Sequence, residues 1–177
     1  MGLKANFELM AIYNQWMNEN IYSLVSRLDE SEISKDRGAF FGSIIGTLNH
    51  ILVGDTIWLK RFADRQYQFT SLNYVSSIDR PEALDTILYS DIDNLAKARK
   101  KMDETILQFT NELTEKCLST SISYIDTKGV PFTKNFSHLL QHFFNHQTHH
   151  RGQVSTLLSQ AGLDIGVTDL LAKIPDV

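Results

Sequence analysis

Apolar residues recur at three- and four-residue spacing through most of the chain, the signature of amphipathic helices rather than of strands. From Lys4 to about Leu28 the stripe is Phe7, Met10, Met17, Ile21, Leu24, Val25 and Leu28, with Asn14 lying between Met10 and Met17 on the same face. A polar side chain on an apolar face needs a partner, so Asn14 is expected to join two helices by a hydrogen bond or to support a buried site. The polar stretch Asp29 to Gly38 reads as a connection. A second helix follows from about Phe40 to Phe62, its stripe built from Ile44, Leu48, Ile51, Leu52, Trp58, Leu59 and Phe62, with Asp55 set among them. Residues 63–79 carry Tyr67, Phe69 and Tyr74 but no steady period, and read as a long connection across one mouth of a pocket. Asp79 and Pro81 suit the cap and first turn of a third helix, sustained by Leu84, Leu88, Ile92, Leu95, Met102, Ile106, Phe109 and Leu113 for about thirty residues. Between Leu118 and Phe132 the pattern changes to Ile122, Tyr124, Ile125, Val130 and Phe132 around Asp126-Thr127-Lys128-Gly129, a short β-hairpin with glycine at the positive-φ position. The last helix, capped by Thr133 or Asn135, ends near Gln160 to Gly162. An apolar turn at Leu170, Leu171 and Ile174 is then left to pack on the helices or on a second subunit. The fold class expected is all-α, with four long helices and a hairpin before the fourth, in one domain spanning residues 1–177.

Five of the six histidines fall between His138 and His150. On a helix at 100° per residue, Leu139, Phe143, Val154, Leu157 and Ala161 define a buried stripe; His146 and His150 fall inside it, while His142 and His149 lie at its edge. Two imidazoles one turn apart hold one metal ion from a single helix, or else are core side chains hydrogen-bonded to their neighbours. Left unsatisfied, each buried ring would cost about 1–3 kcal/mol. Two histidines rarely complete a site. His50 on the second helix is flanked one turn away by Ser43, Thr47 and Gly54, small residues that leave room for a pocket. It is either the third ligand or an exposed histidine.

Composition narrows the function. The net charge of −4 gives no general attraction to phosphate backbones, so nucleic-acid binding is not expected. The run Lys97 to Lys101, KARKK, has acidic neighbours at Asp91, Asp93, Asp103 and Glu104 and reads as a solvated, charge-paired face. A single cysteine, Cys117, excludes a disulfide framework and a zinc ribbon. No apolar run approaches the length of a membrane span and MGLKANFELM has no leader pattern, so a cytoplasmic protein without membrane association is expected. The start also fails the acylation motif, with Asn6 where serine or threonine is required.

Three stretches, Tyr13 to Trp16, LNHILVGDTIW from Leu48 to Trp58, and HFFNHQTHHRGQ from His142 to Gln153, resemble the DinB/YfiT-like superfamily of metalloenzymes. The resemblance covers three of the four long helices. It implies an up-down-down-up four-helix bundle with a three-histidine site, carried onto His50, His146 and His150, for a divalent metal such as zinc or nickel. Asp55, Trp58 and Arg151-Gly152-Gln153 also match, as supporting positions. It further implies a homodimer and an enzyme that transfers a low-molecular-weight thiol to an electrophilic small molecule. A metal-dependent hydrolase, a non-catalytic metal-binding stress-response protein, and a dimeric interaction protein with a decayed site are the alternatives. Asp55, His142, His149 and Asn14 are candidates for the layer around the metal: Asp55 either orients a ligand imidazole or pairs with Arg151, and His142 and His149 either carry protons or are exposed. No residue is assigned a catalytic role.

Overall fold

The computed structural model describes residues 2–64 and 68–176. It is mostly helical: α1 (Leu3–Val25), α2 (Glu30–Ser34), α3 (Ile44–Ala63), α4 (Asn73–Ser77), α5 (Ile92–Glu112), α6 (Glu115–Leu118) and α7 (Phe136–Gln160). Two antiparallel strands, β1 (Ser121–Ile125) and β2 (Pro131–Asn135), precede α7, and 3₁₀ turns occupy Thr70–Leu72 and Leu170–Lys173. The long helices meet in a cycle: α1 packs on α5 and α7, and α3 packs on α7 and α5. Phe62, Phe109, Phe136, Phe143 and Phe144 fill the interior, with Phe62 stacked on Phe109 and edge-on to Phe136. No helix among the described residues is long and apolar enough to cross a membrane.

The hairpin forms where expected. Ser121 pairs with Asn135 and Ile125 with Pro131, Gly129 takes φ +83°, and Asp126 Oδ1 accepts from the Lys128 and Val130 amides to close the turn. Of the two possible caps, Asn135 starts α7, accepting from His138 N at 3.3 Å, whereas Thr133 sits in β2 and hydrogen-bonds Ser123 across the sheet.

Two helix starts differ from the sequence reading. The second long helix begins at Ile44, not Phe40, because Ser43 caps it through Gly46 N at 3.1 Å and Gly42 breaks the backbone at φ +73°. Phe40 and Phe41 are thereby left in a turn. The third begins at Ile92, not Pro81, with Asp91 rather than Asp79 as cap. Residues 81–91 run in turns and bends held by side chains of α3: Asn49 Oδ1 accepts from Leu88 N and Tyr89 N at 2.8 and 3.0 Å, and Asn49 Nδ2 donates to Tyr89 O. A helix through this segment would spend those amides on its own ladder and leave the buried Asn49 Oδ1 without donors.

The 63–79 connection contains α4 and the 3₁₀ turn before it, and Phe69, Leu72 and Val75 are buried, Phe69 edge-on to Phe109. Tyr67 lies outside the described residues. KARKK is not wholly a solvated face: Lys97, Lys100 and Lys101 are exposed, but Arg99 is buried and pairs with Asp55 and Asp103. Its place one turn after Leu95 and three residues before Met102 puts it on the apolar stripe. The tail returns to α1. Tyr13 Oη donates to Thr168 O at 2.7 Å and Lys173 Nζ lies 4.6 Å from the ring centre of the half-buried Trp16.

Candidate metal centre

α3 and α7 run against each other, and three imidazoles meet between them. His50 Nε2 lies 3.0 Å from His146 Nε2 and 3.1 Å from His150 Nε2. Nitrogens bound to a tetrahedral zinc at 2.0–2.1 Å stand roughly 3.3 Å apart. The cluster therefore already has nearly the spacing of a ligand set.

The other ring nitrogens explain why. His50 Nδ1 is 2.8 Å from the Leu84 carbonyl and His150 Nδ1 is 2.8 Å from Gln153 Oε1. Both partners are pure acceptors, so each Nδ1 carries the proton and each Nε2 presents a bare lone pair. Two lone pairs 3.1 Å apart repel unless a cation lies between them. Burial, reinforced by the neighbouring His150 and His50, pushes His146 down to about 3, and burial also lowers His50 and His150, so the rings are neutral and ready to ligate at pH 7. The residues present thus fit a metal ion: a three-nitrogen donor set whose orienting bonds are the kind that fix ligand imidazoles.

Glycine and phenylalanine shape the site. A Cβ at Gly54 would fall 2.6 Å from His146 Cε1, so the missing side chain is the space the ring occupies. Phe41, freed by the late start of α3, stacks on His50 with ring centres 3.7 Å apart and meets His150 edge-on at 5.6 Å. On α7, Gln147 and Arg151 hold the centre of the buried stripe, while His146 and His150 stand on its α3-facing flank. Of the two histidines expected in the stripe, His150 is buried and His146 half-buried, because amide and guanidinium find partners further in.

The supporting candidates separate. Asp55 Oδ2 accepts from Arg99 Nη1 at 2.5 Å and Oδ1 from Gln147 Nε2 at 2.9 Å; its recorded partners are therefore neither an imidazole nor Arg151. Asn14 accepts from Arg151 and donates to Asp103 Oδ1, the latter at 2.9 Å, which makes it a link between helices. His142 lies edge-on to Trp58, 5.1 Å between ring centres, and His149 receives Gln153 Nε2 at 3.3 Å; both are exposed on α7. Gln153 connects His149 to His150. The Leu84 carbonyl and Phe41 were not singled out in the sequence: a carbonyl leaves no residue-type signal, and Phe41 read as helix.

A helical protein in which two facing helices bring three neutral imidazoles together defines a class: a protein with a centre that could hold a metal ion. The chain belongs to the DinB family, whose model matches residues 1–175. It is similar to Protein DinB of Bacillus subtilis (strain 168), 23% identical over 157 residues, covering 89% of this chain and 87% of that protein. It also shares its fold with the crystal structure of a DinB-like protein from Bacillus cereus ATCC 10987, with TM-score 0.56 and 21% identity over 85% of this chain and 89% of that one.

Proposed function

We infer that the protein is a divalent-metal-dependent enzyme whose ion is held by His50, His146 and His150 and which transfers a small thiol to an electrophilic molecule. One observation carries the reading: the Nε2 atoms of His50 and His150 face each other at 3.1 Å while both Nδ1 protons are committed elsewhere. A divalent ion with three protein ligands keeps an open position that lowers the pKa of a thiol or water there. Phe41 shields one side of His50 from water, and Leu84 O and Gln153 fix the tautomers that keep the lone pairs inward. Buried Cys117 caps α6, its Sγ within 3.2 Å of Thr114 N and 3.1 Å of Thr114 O, so the thiol comes from solution rather than from the chain. The same reading takes residues 1–177 as one up-down-down-up four-helix bundle, cytoplasmic and homodimeric.

The test starts with elemental analysis of protein purified from its own host, since overexpression loads whatever ion is abundant. One zinc or nickel per chain is expected, lost in His50→Ala and His146→Ala. Thiol consumption with a halogenated or epoxide electrophile, abolished by chelation and restored by metal, identifies the transferase. Metal without thiol consumption leaves an ion that only staples α3 to α7, and hydrolysis without thiol makes the enzyme a hydrolase. Absence of stoichiometric metal overturns the site.

A further inference from the structure

Two cavities open on the surface on either side of Arg80. One, of about 740 Å³, is bounded by Ile57 on α3, residues 80–84 and the hairpin turn at Asp126 and Thr127. The other, of about 560 Å³, is bounded by Arg61 and Asp64, by Arg80, and by the outer face of the hairpin at Tyr124 and Phe132. They share Arg80, and the first also includes Leu84, the residue whose carbonyl holds His50. The two adjoin at Arg80 as one surface groove, lined by no histidine, whose Leu84 end touches His50 through that carbonyl.

Arg61 is held for a purpose that its recorded contacts do not exhaust. Its guanidinium carbon lies 4.6 Å from the Trp58 ring centre and 4.8 Å from that of Tyr124, and Nη2 donates to Ile125 O at 3.1 Å. These contacts fix the plane of the fork. Nε is nevertheless buried without a hydrogen-bond partner among the described residues. Nε is closed off from the groove, but Nη1 has no hydrogen-bond partner among the described residues, and a carboxylate is the acceptor a fixed guanidinium takes there. Neither Arg61 nor Arg80 has an ion-pair partner among the described residues. Burial and then the proximity of Arg80 lower the proton affinity of Arg61, so two positive charges confront each other across the groove. Asp64, Glu82 and Asp126 border it too, and the Asp126 charge offsets part of the effect of Arg80 on Arg61, but Asp126 Oδ1 is engaged by the Lys128 and Val130 amides.

We propose that this groove binds the carboxylate of an elongated small molecule, with Arg61 as the forked ligand and Arg80 as the second cation. Arg61 follows His50 by eleven residues of α3, roughly 16 Å along the helix axis at 1.5 Å per residue. The assignment of that molecule as the substrate of the histidine centre rests on the metal reading above; the carboxylate site itself does not. A substrate that fits both ends is a long anionic molecule carrying its reactive group at the far end of the chain from its carboxylate.

Titration of the full-length protein with glutarate at constant ionic strength, followed by isothermal titration calorimetry, tests the site. Saturable binding is expected, weakened about tenfold or more in Arg61→Gln and several-fold in Arg80→Gln. Arg61→Lys, which keeps the charge and the stacking stem, is expected to recover only part of the loss. Thermal melts check that the variants fold, and Arg80, exposed and without an ion pair, supplies a variant whose folding is not at stake. Glutarate binding equal in wild type and Arg61→Gln, no saturable binding, or preference for inorganic phosphate over glutarate overturns the proposal. Metal content of the same samples separates the two readings: Arg61-dependent binding without metal removes only the metal centre, and a loaded centre without Arg61-dependent binding removes only the carboxylate site.

Discussion

At the scale of single residues, Gly54 and His146 decide the site together. The His146 ring occupies the volume a side chain at position 54 would take, so Gly54→Ala must displace the ring by several tenths of an ångström or more. Metal affinity is expected to fall at least tenfold in Gly54→Ala with the helical circular dichroism unchanged; a competitive chelator titration showing wild-type affinity would remove the packing argument. His146 also makes the metal-free protein sensitive to pH. Its folded pKa of about 3 lies below the ordinary value near 6.5, so between these pH values the unfolded chain binds the extra proton. Stability is therefore lost as pH falls from about 6.5 towards 3 and is independent of this group above 6.5. Asp103, pushed up to about 6 by burial against the pull of Arg99, acts in the opposite sense as pH falls through 6. Comparing melting temperatures of metal-free wild type and His146→Gln from pH 8 to 4.5 isolates the histidine, and the variant is expected to show the smaller acid loss.

Among the elements, the 81–91 segment is the one the sequence misdescribed and the site depends on. Leu84, Leu88 and Ile92 continue the spacing of α5 backwards, and nothing in those residue types announces that Asn49 on another helix claims the Leu88 and Tyr89 amides. Hydrophobic periodicity reports which side chains are apolar, not where backbone groups find partners. The histidine pair on α7 was legible for the opposite reason, since its one-turn spacing is local and survives any packing of the helices. His50 was legible only through its small neighbours and the family resemblance, because its role needs a second helix and a carbonyl contributed from the 81–91 segment. Arg99 was legible in principle, sitting at the missing stripe position between Leu95 and Met102, but its lysine neighbours made the run read as solvent-facing. Asn49→Ala tests the role of the segment. Two amides lose a buried acceptor, at about 1–3 kcal/mol in total stability, and the Leu84 carbonyl loses its fixed place against His50. Hydrogen exchange at Leu88 and Tyr89 should accelerate, and metal affinity should drop by about tenfold as for other lost supporting bonds. Unchanged exchange at both amides would mean that the segment is held by its apolar contacts instead.

Across the whole molecule, one buried polar layer joins all four long helices. Asn14 and Asn18 reach it from α1, Asp55 from α3, Arg99 and Asp103 from α5, and Gln147 and Arg151 from α7. The four charged side chains are two acids and two bases, each at most 3% exposed, so the layer is neutral as a whole but not when one member is removed. Arg99 holds both carboxylates, Asp55 at 2.5 Å and Asp103 at 2.9 Å, and its proton affinity is raised because their pull outweighs its burial. Arg99→Met leaves two buried carboxylates with only Arg151 nearby, which costs about 3–5 kcal/mol by the measure of broken buried pairs. That is a large share of the ~5–15 kcal/mol that holds an ordinary domain together. Adding Asp55→Asn removes one of the stranded charges, so the double variant should be more stable in urea than the sum of the two single losses, with a coupling above about 1 kcal/mol. Strict additivity would show that the contacts act independently and that the layer is ordinary packing. Since no atom of Arg99 belongs to the imidazole cluster, the folded fraction of Arg99→Met should still carry its metal, which places the cost in holding the helices together rather than in building the site.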